Sequence, residues 1–174
     1  MFYALQIDSN GNGIGSHTYV EEPSTYPSNE VPCTQAQAQN PTLYQVVGGQ
    51  IVESLTAAQS AQIALLQSSA QKAEQAPLTY TTSGGVTATF LMTPHQWTKF
   101  MGAYLKYVVK GDALPSGYAF FDQNGKSVAV TVADISGIFD AGMAQIDGAM
   151  VKLAGLIAQV EVATTVSDVQ AITW

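Results

Sequence analysis

The segment FDQNGKSVAVT at residues 121–131 contains an arrangement that is typical of phosphate chemistry. Its Gly-Lys-Ser sequence at 125–127 matches the end of a loop whose backbone amides and lysine hold a nucleotide phosphate. The motif GxxxxGK[ST] needs a glycine where Phe120 stands, and it needs a helix directly after the loop. The residues 128–130, Val-Ala-Val, favour a strand instead. The pair Asn124-Gly125 between two apolar runs therefore predicts a β-hairpin turn.

Other residue types that carry out chemistry are scattered along the chain. His17 and His95 lie far apart, whereas metal sites generally need clustered histidine, cysteine and carboxylate ligands. GNGIG at 11–15 lacks the third glycine and the following helix of a dinucleotide-binding fingerprint. Ser69 and Lys72 match SxxK without its companion motifs, and no GxSxG elbow is present. A Ser–His–Asp triad stays open on residue counts alone, but we expect no enzyme, metal site or cofactor.

The charge content of the chain is low and its balance is acidic. Charged residues make up 11% of the 174 residues, against roughly a quarter in an average soluble domain. The net charge is −7, and all 6 basic residues are lysines. Proteins that read nucleic acids depend on arginine and are usually basic. Binding to nucleic acid is therefore disfavoured, and the surface is expected to be uncharged polar or buried against partners.

Cys33 is the only cysteine, so no disulfide can form within the chain. The opening MFYALQID lacks the basic residues and the long apolar stretch of a signal peptide. No segment approaches the roughly 18 apolar residues that a membrane span needs. These features predict a cytosolic protein that does not bind membranes.

A recurring pattern marks the predicted helix starts: a threonine, two residues, then glutamine or aspartate. The threonine caps the helix, and the acceptor side chain reaches back to the amide of the cap. The pattern occurs at Thr56–Gln59, Thr93–Gln96, Thr131–Asp134 and Thr165–Asp168. Apolar residues at helical spacing extend the first three helices over about 57–76, 94–110 and 132–163.

The second and third of these helices have the strongest apolar stripes. In helix 94–110 the stripe comprises Trp97, Met101, Tyr104, Leu105 and Val108. In helix 132–163 it comprises Ile135, Phe139, Gly142, Ile146, Met150, Leu153, Ile157 and Val160. The third helix needs cover on more than one side, either from the second helix and the sheet or from another subunit. Its glycines at 137, 142, 148 and 155 indicate either close approach of a neighbouring backbone or loose packing.

The β-prone segments complete an α+β fold class. FYALQI and the turn pair Gly48-Gly49 predict a small N-terminal β module with a proline-rich loop over residues 1–55. A connecting helix follows over residues 56–77. Residues 78–174 form a C-terminal domain of two β-hairpins packed with two main helices, one of them long, and a short C-terminal helix.

Aromatic residues are the remaining candidates for a functional surface, because tryptophan and tyrosine dominate the energetics of protein interfaces. The partner-binding candidates are Trp97, Tyr104, Tyr118, Phe120 and the terminal Trp174, with Phe121 beside them. The alternative is that they fill the core, where large aromatic side chains also provide most burial. An apolar terminus frays unless it is docked, so Trp174 is expected to pack against its own domain or a neighbour.

The second half of the chain has a specific order of motifs. Thr-Ser-Gly-Gly at 82–85 precedes a helix with Gln96 near its start, an aromatic–Asp–Gln–Asn segment at 118–124 and Val-Ala-Val-Thr-Val-Ala-Asp at 128–134. A long alanine-rich helix and the ending ATTVSDVQAITW follow. This order resembles a C-terminal domain of unknown function that is common in tailed phages and prophages, in proteins regarded as tail-fibre assembly proteins. Residues 1–75 are also similar to the opening of such proteins.

The resemblance implies an assembly chaperone or adaptor that binds the phage tail-fibre chain by non-covalent contacts and needs no cofactor. Such a protein acts in the host cytoplasm during virion assembly and is either released or retained in the tail, alone or as a homo-oligomer. A permanent structural component of the virion tail or fibre is the alternative. A carbohydrate-binding module is a third hypothesis.

Overall fold

The computed structural model describes residues 1–174, and its secondary structure alternates short antiparallel strands with helices. The strands are β1 Phe2–Ile7, β2 Gly13–Tyr19, β3 Glu30–Cys33, β4 Tyr44–Val47, β5 Gln50–Glu53, β6 Leu78–Thr81, β7 Thr87–Phe90, β8 Ala119–Phe121 and β9 Ser127–Ala129. The α-helices are α1 Gln35–Gln39, α2 Leu55–Glu74, α3 Pro94–Ala103, α4 Val132–Val162 and α5 Val166–Ala171. A 3-10 helix spans Pro41–Leu43, and a π-helix, Tyr104–Val109, continues α3. The predicted α+β class is confirmed.

The chain forms two compact units. Unit 1 comprises residues 1–66 and 156–174, and unit 2 comprises residues 67–155. The two longest helices, α2 and α4, each contribute residues to both units.

Unit 1 joins the two ends of the chain. Its Gln59 donates a hydrogen bond from Nε2 to the carbonyl of Val160 at 3.0 Å, and its Gln62 donates one to the carbonyl of Ile172 at 2.5 Å. Both glutamines lie on α2, so the end of the chain is held by polar side chains of an early helix. The sequence predicts the segments 1–55, 56–77 and 78–174, which do not coincide with these units.

The sheet of unit 1 has the strand order β2-β1-β3. Ala4 and Leu5 of the central strand β1 are fully buried, one on each face, because neighbouring side chains alternate along a strand. The β4–β5 hairpin turns at Gly48-Gly49, as predicted. Both glycines have positive φ angles, 58° and 81°, which a residue with a Cβ rarely adopts.

Unit 2 has one hydrophobic core between its two hairpins, β6–β7 and β8–β9, and its helices α3 and α4. The buried residues of this core are Leu78, Ala88, Phe90, Met92, Phe100, Ala103, Tyr107, Phe120, Val128, Val130, Ile135 and Ile138. Both hairpins were predicted, and so was the presence of a long helix beside them. The long helix α4 spans 31 residues.

The segment at 121–131 forms a hairpin turn. The carboxylate of Asp122 accepts hydrogen bonds from the backbone amides of Asn124 and Lys126, each at 2.8 Å. Gly125 has a φ of 77°, and the strand β9 follows it. The prediction of a turn instead of a phosphate-binding loop is confirmed.

Three of the four predicted helix caps are confirmed. Thr93, Thr131 and Thr165 each accept a hydrogen bond from the backbone amide three residues later. The fourth prediction is wrong, because α2 begins before Thr56 and is capped by Ser54, whose Oγ accepts from the amide of Ala57 at 3.3 Å. Serine is at least as good a cap as threonine, so the helix starts at the earlier of two suitable residues.

Candidate functional site

The two phenylalanines of β8 point to opposite faces, because side chains alternate along a strand. Phe120 is 7% exposed, and its ring centroid lies 4.7 Å from that of Phe100 in the core of unit 2. Phe121 is 60% exposed. The structure therefore places Phe120 in the core and not on a partner-binding surface. The outward aromatic residue of this strand is Phe121.

Trp97 and Tyr104 form a stack with Phe139 of α4. The ring centroids lie 5.3 Å apart for Trp97 and Phe139, and 4.0 Å apart for Tyr104 and Phe139, with the rings nearly parallel. Gly142 faces Trp97, and a Cβ at this glycine would lie 2.5 Å from Cζ3 of the indole. Both aromatic candidates are partly buried against the core. They hold α3 against α4.

Tyr118 lies between the core and a surface cavity. Its ring meets the rings of Tyr107 and Phe120 edge-on, with centroids 5.1 and 5.6 Å apart. Burial raises the pKa of the Tyr118 phenol, and the neighbouring Tyr107 raises it further. The cavity has a volume of about 290 Å³ and is also lined by Gln96, Lys99, Phe100, Ala119, Phe120 and Phe121.

Trp174 belongs to unit 1, apart from the other four candidates. Its side chain is partly buried and interacts with other residues of the chain. The hydrogen bond from Gln62 to the carbonyl of Ile172 fixes the backbone just before it. The terminal segment is therefore docked within its own unit.

An exposed apolar surface, which the sequence analysis missed, lies on α3 and the π-helix. Met101 is 40% exposed, Leu105 is 49% exposed and Val109 is 61% exposed. We call these three residues the apolar row. Leu105 and Val109 border a cavity of about 390 Å³ whose other lining residues are Gly102, Lys106, Lys110 and Asp112.

The predicted apolar stripe places Met101 and Leu105 in the core, but both are exposed, and Leu105 lies in the π-helix. The amide of Lys110 donates to the carbonyl of Leu105 at 3.1 Å, a hydrogen bond that spans one more residue than in an α-helix. More residues per turn place Leu105 and Val109 nearly one above the other, while Tyr107 is directed into the core. A continuous α-helix was predicted because apolar spacing alone does not distinguish the two helix types.

The apolar row stands in a locally basic environment. Lys106 and Lys110 line the cavity beside Leu105 and Val109, together with one acidic residue, Asp112. The chain as a whole carries −7. A partner segment that carries apolar and acidic side chains is therefore more complementary to this surface than to the rest of the chain.

A cluster of polar side chains joins the outer strands of the unit 1 sheet. The Nδ1 of His17 lies against one carboxylate oxygen of the buried Glu30, and the hydroxyl of Tyr19 donates to the other oxygen of Glu30 at 2.5 Å. The hydrogen bond to Glu30 raises the pKa of Tyr19, with smaller contributions from burial and from the charge of Glu30. Ala4 pairs with His17 on the strand between them, so its small side chain leaves room for the cluster.

The Glu30 cluster links β2 and β3 through side-chain contacts that the spacing of these residues in the sequence does not predict. Glu30 approaches His17 and Tyr19 only because β3 and β2 flank the same strand. No cavity described above borders it. No group of three or more His, Cys, Asp or Glu side chains is arranged to hold a metal ion.

Comparison with known proteins gave no relative: no protein-family model, curated protein or solved structure matches the chain. None of the helices combines the length and the apolar character needed to cross a membrane.

Proposed function

We propose that this protein is a phage tail-fibre assembly chaperone or adaptor that binds the tail-fibre chain through the apolar row in the host cytoplasm. The observation that carries the proposal is the exposure of Met101 on α3 and of Leu105 and Val109 on the π-helix that continues it. π-Helices are rare and occur frequently at functional sites. Binding through such a surface makes and breaks no covalent bond.

The apolar row can contribute substantially to the free energy of binding a partner, and the charges beside it can help to orient that partner. Fully burying a leucine or valine side chain is worth about 1.5–3 kcal/mol, so two such residues can make a large contribution to the binding free energy of an interface. Lys106 and Lys110 at the rim accelerate encounter with an acidic partner and help to fix its register. The order of motifs that resembles tail-fibre assembly proteins supports the choice of a fibre chain as this partner.

Co-expression with the tail-fibre chain of the same phage tests the proposal. We expect the wild-type protein to increase the amount of soluble, trimeric fibre, as measured by size-exclusion chromatography with light scattering. Leu105→Lys combined with Val109→Lys should weaken binding of the purified fibre by about 100-fold or more, because two apolar contacts are lost. Val86→Lys is the matched control, since Val86 is 45% exposed in the same unit but lies outside the row.

Two results would contradict the proposal. One is a fibre that is equally soluble and trimeric without this protein. The other is equal loss of binding in the Val86→Lys control and in the double variant, which would show that the apolar row has no special role.

A permanent component of the virion tail is the second candidate function, and a second exposed surface favours it. Met150 and Val151 are exposed in the middle of α4, where a protein that stays in a symmetric assembly would bury them. Mass spectrometry of purified particles separates the two functions. Stoichiometric presence supports the permanent component, and absence supports a chaperone that is released.

A further inference from the structure

Unit 1 contains a cavity that the sites described above do not include. It has a volume of about 270 Å³ and is lined by residues of the 3-10 helix, the β4–β5 hairpin, α2 and α5. Most of its walls are apolar, and the apolar lining residues are Leu43, Ala58, Ala61, Leu65 and Val166. Leu43 is 43% exposed and Leu65 is 61% exposed. The volume lies just below the roughly 300–1,000 Å³ of pockets that bind drug-sized ligands, so the cavity fits a group of the size of one side chain.

One charged residue lines this cavity. Glu53, at the end of β5, is exposed and forms no ion pair within the chain. Two other polar lining residues already have partners: Gln62 donates to the carbonyl of Ile172, and the Oγ of Ser54 accepts from the amide of Ala57. The apolar walls therefore end at a carboxylate that is available to a cation.

The net charge of the chain is concentrated in unit 1. All 6 basic residues, each a lysine, lie within residues 67–155, which form unit 2. Unit 2 also contains six of the 13 acidic residues, so its charges cancel, and unit 1 carries the whole net charge of −7. A surface of one charge sign raises the local concentration of groups of the opposite sign and the rate of their association. Unit 1 therefore favours a basic partner, in contrast to the apolar row.

We propose that this cavity is the docking site for a lysine side chain in a basic segment of a partner polypeptide. The methylene groups of the lysine pack along the apolar walls, and its ammonium group reaches the carboxylate of Glu53 at the rim. Lysine side chains bury their apolar stems in this way while the charged end stays in water. An apolar side chain alone would leave the carboxylate of Glu53 unused. The inference does not depend on the function proposed for the apolar row, which lies in unit 2.

Titration of the isotope-labelled full-length protein with short peptides, followed by NMR, tests the proposal. The probe is a capped Ala-Lys-Ala peptide, and the control peptide carries norleucine, which keeps the apolar stem of lysine without the ammonium group. We expect the amide signals of Glu53, Ala61 and Val166 at the cavity to shift. The lysine peptide should bind about threefold to fivefold more tightly at low ionic strength, and salt should reduce this difference by screening the exposed carboxylate. Equal affinity for the two peptides would overturn the proposal, and so would the absence of binding.

Glu53→Gln removes the charge at the cavity and keeps the size of the exposed side chain. It should lower the affinity for the lysine peptide to that for the norleucine peptide. Glu161→Gln is the matched control, because Glu161 is also an exposed acidic residue of unit 1 but does not line the cavity. Since each variant loses one negative charge, a general attraction to unit 1 would weaken binding equally in both. Equal weakening would therefore overturn the proposal.

Ala61→Leu tests the contribution of the apolar walls. Ala61 is exposed on α2, and leucine has nearly the helix propensity of alanine, so the thermal midpoint should stay close to that of the wild type. The larger side chain occupies part of the cavity, so binding of both peptides should weaken by about fivefold or more as apolar contacts are lost. Ala64→Leu, at an exposed position of α2 outside the cavity, is the control and should bind like the wild type. Unchanged binding of the lysine peptide by Ala61→Leu would show that the peptide contacts only the carboxylate and would overturn the proposal.

Discussion

At the scale of single residues, Asp134 connects two elements of unit 2. Its carboxylate accepts hydrogen bonds from the amide and hydroxyl of Thr131 at 2.8 and 2.7 Å, which completes the cap of α4. It also accepts from the amide and hydroxyl of Ser83, at 2.6 and 2.9 Å, in the turn between β6 and β7. The side chain is 2% exposed. One buried carboxylate thus caps a helix and fixes a hairpin to it.

Removing this carboxylate should destabilise the protein strongly. Asp134→Ala removes the charged acceptor of four hydrogen bonds from Thr131 and Ser83, and a hydrogen bond to a charged group is worth about 1.5–3 kcal/mol. We expect a loss of about 2–4 kcal/mol in the free energy of unfolding, as measured by urea denaturation. Asp140→Ala is the control, because Asp140 is an exposed aspartate on the same helix. A loss below about 1 kcal/mol for Asp134→Ala would contradict the network.

The same carboxylate gives the stability a defined dependence on pH. Burial alone would raise the pKa of Asp134, but the hydrogen bonds from Thr131 and Ser83 outweigh it and hold the pKa below its ordinary value of 3.8. A lowered pKa in the folded state stabilises the protein fully above that ordinary value. This stabilisation is lost as the pH falls below 3.8 and through the pKa of the folded state. The difference between wild type and Asp134→Asn should therefore shrink over this acidic range.

At the scale of elements, the glycines of α4 fall into two groups. Gly137 and Gly142 face Tyr80 and Trp97, so that a Cβ at either position would overlap an aromatic ring. Gly148 and Gly155 face open space. The sequence left close approach and loose packing as alternatives for all four glycines. Close approach within the chain applies to the first pair only.

Replacing these glycines by alanine should therefore raise the free energy of unfolding at one end of α4 and lower it at the other. Gly148→Ala and Gly155→Ala should each stabilise the chain by about 0.5–1 kcal/mol through helix propensity. Gly137→Ala and Gly142→Ala should each destabilise it by about 1–3 kcal/mol through overpacking. Urea denaturation measures both effects. If all four substitutions changed the free energy of unfolding in the same direction, these aromatic contacts would not determine the packing of α4.

Features that depend on residues close together in the sequence were predictable, and features that depend on contacts between residues far apart in the sequence were not. The caps at Thr93 and Thr131 and the turn at Gly125 depend on residues within one turn of chain, so their patterns can be read directly. The reach of Asp134 to Ser83 depends on the packing of a hairpin against a helix. The π-helix was not predictable either, because apolar spacing alone does not distinguish it from an α-helix.

The candidate site was harder to predict than the fold. The sequence of the short strand β8 does not reveal which of two adjacent phenylalanines faces inward. The sequence favours Phe120 as a partner-binding residue, whereas Phe121 is the exposed one. Large exposed residues such as Leu105 look like core residues in a sequence, because residue type alone does not report burial.

At the scale of the whole molecule, unit 1 depends on residues from both ends of the chain. Val160 and Val169 are fully buried, and both belong to unit 1 together with residues 1–66. Gln59 and Gln62 also find their acceptors beyond residue 155. Unit 2 is a continuous segment, residues 67–155, with a core of its own. The two units therefore differ in how they depend on the end of the chain.

Ending the chain after Gly155 should unfold unit 1 and leave unit 2 folded. The truncated chain loses Val160 and Val169, and burial of each valine side chain is worth about 1.5–3 kcal/mol, a large part of the 5–15 kcal/mol typical of a folded domain. Hydrogen exchange measured by mass spectrometry should show amides of β1 to β3 losing protection while β6 to β9 keep theirs. Full-length chain with Val169→Ala is the milder control and should weaken protection in unit 1 only. If β1 to β3 stay protected in the truncated chain, unit 1 does not depend on residues 156–174 and the expectation is wrong.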